Sequence, residues 1–251
     1  MKNKVAIVTG AGQGIGLEIC RQLAEQGAHV FLNDLDPALT ENTVSALNAQ
    51  YGNLVYAVPG DCSEVDLIHR MVDKAVERFG RLDIVIANAG ITLFGDFFTY
   101  PAESFDKIMR VNLRGSFYLA QAAAAKMKLQ ASGGSILFMS SVTGHQAHKG
   151  LAAYSMSKAA LEMLAKNLVI ELSEYGININ TVAPGATLTE RTVADKNYEN
   201  TWKKITPNGR PANVADIANA VLFLVHDRSK HITGQNIIVD GGWTCVGLSP
   251  E

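Results

Sequence analysis

Apolar and polar positions along the chain follow two patterns, short continuous apolar runs and longer stretches in which apolar residues recur every third or fourth position. The first pattern is typical of strands buried on both faces, and the second of amphipathic helices. Apolar runs occupy residues 4–8, 28–33, 53–58, 82–87, 135–139, 177–182 and 236–239. Helical patterns lie near residues 15–26, 37–50, 63–79, 103–129, 152–175 and 213–225.

This alternation predicts an α/β fold, a doubly wound parallel sheet of about seven strands with helices on both faces. Parallel strands are joined by right-handed crossovers, which place the connecting helices against the sheet. The pattern contains no internal repeat and no linker-like stretch. We therefore expect one domain over residues 1–251, of the Rossmann type if a nucleotide site follows the first strand.

A glycine-rich turn at residues 9–16 joins the first predicted strand directly to the first helix. Glycines let the backbone approach a pyrophosphate closely, and a helix N-terminus offers free N–H groups and a positive dipole end. The spacing is Thr-Gly-x-x-x-Gly-x-Gly, because Ile15 stands where G-x-G-x-x-G has its third glycine. This context predicts a dinucleotide site, with a turn that binds no ligand as the alternative. The candidates from this turn are Gly10, Gly12, Gln13, Gly14, Ile15 and Gly16.

An acidic residue, Asp34, ends the second strand eighteen positions after Gly16. Its carboxylate can accept hydrogen bonds from the adenosine ribose and would repel the phosphate that NADP carries there. The flanking residues Asn33 and Leu35 supply no cation, so we expect NAD rather than NADP. The alternative for Asp34 is the N-cap of the helix that follows, a role that Asp36 could fill equally well.

Tyr154 and Lys158 are four residues apart in a helical pattern and would share one face of the helix. A free tyrosine has a pKa of about 10, and a neighbouring ammonium lowers it. The pair is therefore a candidate general acid and base for an alcohol or a carbonyl. Ser141 lies thirteen residues before the tyrosine.

The glycine turn, the acidic residue and the serine–tyrosine–lysine set together resemble the short-chain dehydrogenase/reductase family of the classical type, over residues 4–242. The resemblance implies that Tyr154 is the acid/base and that Lys158 lowers its pKa and holds the nicotinamide ribose. It further implies that Ser141 orients the substrate oxygen and that Asn112 holds a water linking Lys158 to solvent. The matching segments add the cofactor-binding candidates Asp61, Cys62, Asn88, Ala89, Gly90, Pro184, Gly185, Thr187 and Thr189, besides Tyr154 and Lys158.

Several of these roles have alternatives. Ser140 could replace Ser141, although the thirteen-residue spacing to the tyrosine favours the latter. Asn88 and Asn112 could instead satisfy backbone groups in a turn or a bent helix. Asp61 could help to start the helix that begins near residue 63.

Substrate contacts are expected in loops at residues 91–100, 142–151 and 186–210. The family resemblance implies that the last of these loops is a lid that closes over the substrate and the nicotinamide. Candidate substrate contacts are Ser141, Tyr154 and His145. Phe94, with the aromatic residues that follow it at 97 and 98, either lines an apolar pocket or packs beneath its loop. We expect no metal site, because neither cysteines nor carboxylates cluster with His145 and its neighbour His148.

The composition excludes disorder and a nucleic-acid surface, since the chain is 47% hydrophobic with a net charge of −2. Three scattered cysteines and an N-terminus without a leader or membrane pattern favour reduced thiols and a cytoplasmic location. The small-residue run at 121–126 lies, in the family, in a helix that packs against a partner, which implies a homotetramer. Small residues inside a monomer would give the same pattern.

We therefore expect an NAD-dependent oxidoreductase that interconverts a secondary alcohol, such as a sugar or polyol, and its ketone. One alternative is a 3-oxoacyl-[acyl-carrier-protein] reductase, suggested by Asn-Ala-Gly-Ile-Thr at residues 88–92. Asp34 and Ile170 argue against it, because those enzymes usually prefer NADP and many carry an arginine where Ile170 stands. A non-catalytic NAD(H) sensor is another alternative, but it should have lost a catalytic group.

Overall fold

Seven parallel strands form one sheet in the computed structural model, which describes residues 1–246. Their order across the sheet is β3-β2-β1-β4-β5-β6-β7, which confirms the predicted doubly wound fold. The strands are β1 Val5–Val8, β2 His29–Asp34, β3 Val55–Pro59, β4 Ile84–Ala87, β5 Gly134–Met139, β6 Ile177–Pro184 and β7 Asn236–Val239.

Helices cover both faces of this sheet, because apolar side chains point to both sides of the strands. Val5 and Ile7 of β1 lie in an apolar layer with three helices, and Ala6 and Val8 lie in a second layer with three others. The first layer contains α3 (Val65–Phe79), α5 (Gly115–Met127) and α6 (Ala152–Leu172). The second contains α1 (Gly14–Glu25), α2 (Pro37–Tyr51) and α8 (Val214–Val225).

The prediction of one continuous α-helix over residues 103–129 is wrong, because a π-helical turn interrupts it. The segment is divided into α4 (Ala102–Ile108), a π-helical turn (Met109–Arg114) and α5. The carboxamide of Asn112, inside that turn, exchanges two hydrogen bonds with the backbone of Ile91, which draws the turn against the neighbouring loop. The predicted lid at 186–210 also contains a helix, α7 (Tyr198–Ile205).

The small-residue run at 121–126 lies in α5, where the side chains of Ala122, Ala123 and Ala124 are buried in the subunit core. Three of its four alanines thus pack within the subunit, as in the alternative given above. No helix within residues 1–246 is both long and apolar enough to cross a membrane.

The strand order changes direction between β1 and β4, so the loops that follow these two strands turn to opposite sides. In open α/β sheets such a divergence leaves a crevice at the carboxyl ends of the strands, where ligands bind. The glycine turn after β1, the loop after β4 and the segments after β5 and β6 meet at this edge.

Candidate active site

A cleft of about 480 Å³ opens at this edge of the sheet. It brings together most of the site residues predicted from the sequence, from seven separate segments of the chain. Among the described residues 1–246, three predicted site residues do not line the cleft: Gly12, Asn112 and His145. The predicted residues that line it are Gly10, Gln13, Gly14, Ile15, Gly16, Asp34, Asp61, Cys62, Asn88, Ala89, Gly90, Ser141, Tyr154, Lys158, Pro184, Gly185, Thr187 and Thr189.

The glycine turn is held in a shape that larger residues would not permit. Gly10 has φ +60°, and a methyl group there would lie 2.7 Å from the Ala89 Cα atom. A methyl group on Gly16 would lie 2.5 Å from the Gly10 carbonyl oxygen. The side-chain amide of Asn88 donates to the carbonyl oxygens of Thr9 and Gly10, at 2.9 and 2.8 Å, and so joins the turn to the end of β4.

Helix α1 begins inside this turn, at Gly14. The side chain of Gln13, the N-cap residue, makes no capping hydrogen bond within the described part of the chain. The first N–H groups of the helix therefore face the cleft with the positive end of the helix dipole. A narrow glycine cradle in front of such a helix fits the pyrophosphate of a dinucleotide.

Asp34 and Asp36 have different roles at the end of β2. Asp36 is the N-cap of α2, since its carboxylate accepts hydrogen bonds from the N–H groups of Ala38 and Leu39 at 2.9 and 3.1 Å. Asp34 Oδ2 accepts from the N–H of Gly12 at 2.9 Å and borders the cleft. Gly12 therefore contributes to the site through Asp34, and the N-cap of the helix is Asp36, whose own N–H lies 3.4 Å from Asp34 Oδ1.

Asp61 and Cys62 follow β3 at the same edge. Asp61 Oδ1 accepts hydrogen bonds from the N–H and hydroxyl of Ser63, at 2.9 and 2.7 Å, a contact that orders the start of α3. Burial acts to raise the pKa of Asp61, but the Ser63 hydrogen bonds and the Arg110 and Arg114 guanidinium groups hold it below its usual range. Burial raises the pKa of the Cys62 thiol to about 12, so this sulfur is not a thiolate at neutral pH.

The two adjacent serines after β5 differ in their contacts. The Ser140 hydroxyl lies 2.7 Å from Glu162 Oε1 and 3.2 Å from the Lys158 carbonyl oxygen, and is committed to helix α6. Ser141 Oγ accepts from the N–H and hydroxyl of Thr143, at 3.3 and 3.2 Å, which leaves its own hydrogen available to another acceptor. The geometry thus favours Ser141 over Ser140 as the residue that contacts a substrate oxygen.

Tyr154 and Lys158 share the face of α6 that borders the cleft. The Lys158 Nζ atom lies 5.6 Å from the centre of the Tyr154 ring and donates a hydrogen bond to the Met139 carbonyl oxygen at 2.7 Å. Burial lowers the pKa of Lys158 to about 8.

The expectation that Lys158 lowers the pKa of Tyr154 is wrong for this structure. Burial raises the pKa of the tyrosine, and the nearby hydroxyls of Ser141 and Thr92 act against that rise without overcoming it. The physical reason is that the phenolate would lose its solvation in the wall of the cleft, while the ammonium is bound to a backbone carbonyl instead of the phenol. Both groups are therefore shifted toward their neutral forms.

Asn112 and His145 lie outside the cleft lining. The Asn112 side chain is fully buried, and its carboxamide bonds to the backbone of Ile91 and, at 3.1 Å, to the Ser157 hydroxyl. These contacts are those of the backbone-satisfying alternative, and the water relay stays a prediction. His145 Nδ1 lies 3.3 Å from Glu162 Oε1.

The aromatic loop after β4 stands at the surface. The side chain of Phe94 packs edge-on against His148, and Phe97 and Phe98 are 77% and 92% exposed. Phe97 and Phe98 thus neither line the cleft nor pack beneath their loop. Within residues 1–246 no cluster of three His, Cys, Asp or Glu side chains could hold a metal ion.

Comparison with known proteins gives the family. The model of a family described as enoyl-(acyl carrier protein) reductase matches residues 10–244. An uncharacterized oxidoreductase of Thermotoga maritima is 38% identical over 252 residues, covering 98% of this chain and 99% of that protein. The chain belongs to the short-chain dehydrogenase/reductase family. This confirms the resemblance drawn from the motif residues.

Relatives with assigned activities act on different substrates. An L-rhamnose 1-dehydrogenase (NAD(P)(+)) of Azotobacter vinelandii is 35% identical, with 96% of each chain covered. A 3-oxoacyl-[acyl-carrier-protein] reductase of Staphylococcus aureus is 37% identical, covering 95% of this chain and 97% of that protein. The crystal structure of a gluconate 5-dehydrogenase from Burkholderia cenocepacia, in complex with NADP and tartrate, has a TM-score of 0.91 at 32% identity, covering 98% and 97% of the two chains.

The cleft of this short-chain dehydrogenase/reductase also contains residues that the motifs did not identify. Most of them lie on loops or on helix faces whose orientation the spacing of apolar residues does not fix. Thr92 follows the Asn-Ala-Gly motif directly, and Tyr198 lies in the predicted lid, so both belonged to loops expected near the substrate. The newly found lining residues include Leu35, Thr92, Lys107, Arg110, Val111, Met139, Glu190, Arg191, Thr192 and Tyr198.

Proposed function

We propose that this protein is an NAD-dependent oxidoreductase that interconverts a secondary alcohol and its ketone, the alcohol being a sugar, a polyol or a similar hydroxy compound. The observation that carries the proposal is that Ser141, Tyr154 and Lys158 line the same cleft as the glycine turn. A proton-transfer set and a dinucleotide cradle in one cavity are what alcohol oxidation requires. A nicotinamide cofactor, when bound, would accept the hydride from the alcohol or return it to the ketone.

Tyr154 is the proposed general acid and base. Its raised pKa keeps the phenol protonated at neutral pH, which suits it to donate a proton to a carbonyl oxygen. Ser141, whose hydroxyl also lies within hydrogen-bond reach of Tyr154, would hold that oxygen and stabilise the charge that develops on it. Lys158 would bind the nicotinamide ribose, and Asn112 would fix the loop at Ile91 and hold the water of the proton route.

The preference for NAD over NADP rests on Asp34. Its carboxylate borders the cleft, where the ribose hydroxyls of NAD can donate to it and an added phosphate would be repelled. Asp36 is the N-cap of α2, and the only contact of the Asp34 carboxylate there, within residues 1–246, is a long hydrogen bond of 3.4 Å from the Asp36 N–H. Both cofactors are named among the relatives, which makes this residue the deciding feature. The other proposed cofactor contacts are the cleft residues named above, together with Gly12.

The second candidate is a 3-oxoacyl-[acyl-carrier-protein] reductase, which the Staphylococcus aureus relative favours. Against it stands Ile170, which is 85% exposed where an arginine would be expected to contact an acidic carrier. A third candidate function is that of a sensor that binds NAD(H) and catalyses no reaction.

The experiment is to measure NADH formation from NAD across sugars, polyols, hydroxy acids, steroids and 3-hydroxyacyl thioesters, with NADP in parallel. We expect a hit among the sugars or polyols, with NAD preferred. A hit confined to 3-hydroxyacyl thioesters would favour the second candidate. Tight NADH binding without turnover across the panel would favour the sensor.

We further propose that the chain forms one domain and that its segment 186–210 closes over the substrate. We also propose that four copies assemble into a homotetramer and that the protein is located in the cytoplasm. An apolar groove of about 770 Å³ between α5 and α6 supports the assembly, with Phe117 41% and Met163 56% exposed along it. All three cysteines are unpaired, as expected for a reducing compartment. Light scattering should give four times the chain mass, and Met163→Glu, which places a charge in the groove, should give a smaller species.

A further inference from the structure

Glu162 is a partly buried carboxylate outside the cleft lining. It follows Lys158 by one turn of α6, and its side chain is 15% exposed. Its Oε1 atom accepts a hydrogen bond from the Ser140 hydroxyl at 2.7 Å and lies 3.3 Å from His145 Nδ1. A single oxygen atom thus contacts both ends of the segment 140–145, which contains Ser141.

The segment lies directly against this carboxylate. A methyl group on Gly144 would be 2.7 Å from Glu162 Oε1 and 3.2 Å from the Ala159 nitrogen, so only glycine permits this approach without a shift. The single hydroxyl hydrogen of Ser140 has two acceptors on α6, and the shorter distance is to Glu162. Hydrogen bonds to a carboxylate are about twice as strong as those between neutral groups.

The two sides of this contact carry the proposed chemistry. Segment 140–145 holds Ser141, and α6 holds Tyr154 and Lys158. We propose that Glu162 is a positioning residue, whose carboxylate fixes segment 140–145 against α6 and so sets the distance between the Ser141 and Tyr154 hydroxyls. This inference rests on the proposed function. It gives His145, expected from the sequence to contact substrate, a place in the same fixed turn.

The magnitude of the effect follows from geometry. Displacement of a reacting group by about 1 Å can lower a rate about 100-fold, even when the mutated residue touches no substrate. Loss of the carboxylate should therefore lower kcat, while the glycine turn and the cofactor affinity stay unchanged.

The experiment compares Glu162→Ala, Glu162→Gln and Glu171→Ala. Glu171 is an exposed residue on the same helix and serves as the matched control. We expect Glu162→Ala to lower kcat about 10- to 100-fold, with the NADH dissociation constant within about twofold of the wild type. Glu162→Gln keeps an acceptor oxygen for Ser140 and should restore kcat to within about threefold. Glu171→Ala should match the wild type.

Hydrogen exchange gives a readout that does not depend on turnover. In Glu162→Ala, exchange at residues 140–145 should rise, while exchange in α1 and its preceding turn should not change. An unchanged kcat in Glu162→Ala, or a loss of NADH binding with faster exchange throughout the chain, would overturn the inference. An inactive wild type would overturn the proposed function, whereas exchange at 140–145 would still decide whether Glu162 fixes the turn.

Adding Ser140→Ala gives a double-mutant cycle. If the Ser140–Glu162 hydrogen bond is the positioning contact, the double variant should lose no more kcat than either single variant. Multiplied losses in the double variant would show that the two residues act separately, and would overturn this step.

Discussion

Lys158 Nζ lies 5.6 Å from the centre of the Tyr154 ring and donates its hydrogen bond to the Met139 carbonyl oxygen. The lysine is buried, with its pKa lowered to about 8, and burial also raises the pKa of the tyrosine. The cleft thus holds two ionisable groups whose charged forms are disfavoured. A buried ammonium of this kind destabilises the folded state at neutral pH.

The pH dependence of stability should reveal this cost. Lys158 has a lowered pKa of about 8 when folded, against 10.5 as its ordinary value, so the unfolded chain binds more protons between these pH values. Stability therefore rises with pH there, and the cost is full below pH 8 and absent above 10.5. We expect the free energy of unfolding of the wild type, relative to Lys158→Met, to increase by about 2 kcal/mol from about pH 7 to about pH 10.

Urea unfolding at intervals across this range measures the difference, and other titrating groups cancel between the two proteins. Lys166→Met, an exposed lysine on the same helix, is the control and should run parallel to the wild type. If the free energy of unfolding of Lys158→Met changed with pH in parallel with that of the wild type, the charged form of Lys158 would not destabilise the folded state.

Cofactor preference should separate the two aspartates after β2. Asp34→Ala removes the carboxylate at the cleft, so the preference for NADH over NADPH should fall about tenfold or more, a loss of about 1.4 kcal/mol. Asp36→Ala removes the N-cap of α2 and should lower stability by about 1 kcal/mol without changing that preference. Fluorescence titrations of both cofactors, with thermal unfolding, measure the two effects. Equal NADH and NADPH affinities in the unmodified protein would contradict the NAD assignment.

The glycine turn should tolerate no side chain at Gly16. A methyl group there would lie 2.5 Å from the Gly10 carbonyl oxygen and 2.6 Å from Asn88 Nδ2, so the turn must shift. We expect Gly16→Ala to weaken NADH binding about tenfold or more. Gly52→Ala is the control, because Gly52 has φ +81° but no heavy atom of residues 1–246 beyond its chain neighbours lies within 4 Å of the added methyl.

The control variant should lose about 1 kcal/mol of stability through backbone strain and bind NADH normally. Calorimetric titration with NADH measures both variants. Normal NADH affinity in Gly16→Ala would show that the close approach at the turn does not serve the cofactor.

Local patterns in the sequence were sufficient to predict the sheet and the glycine turn between β1 and α1. The apolar runs identify the strands because parallel strands are buried on both faces, as in Val5–Val8. The glycine turn follows a strand and begins a helix, which is information carried by adjacent residues. Asp34 and Asp36 could each have capped α2, and only the structure assigned the cap to Asp36.

What the sequence did not predict depends on contacts between distant residues. The division of the helix at 103–129 follows from Asn112 bonding to Ile91, twenty-one residues away. The pKa of Tyr154 depends on how deeply it is buried, which a four-residue spacing to Lys158 does not contain. Likewise, the partner of His145 is Glu162 on α6, and nothing in the spacing of the two residues indicates it.

The central claim is that Tyr154 transfers the proton in a reaction that uses a bound nicotinamide cofactor. The most direct measurement is turnover of Tyr154→Phe on the substrate found in the panel, together with its NADH affinity. Tyr175→Phe, an exposed tyrosine beyond the end of α6, is the control. We predict that Tyr154→Phe lowers kcat by about 100- to 10,000-fold while NADH binds as in the wild type. Turnover that survives this substitution would contradict the account.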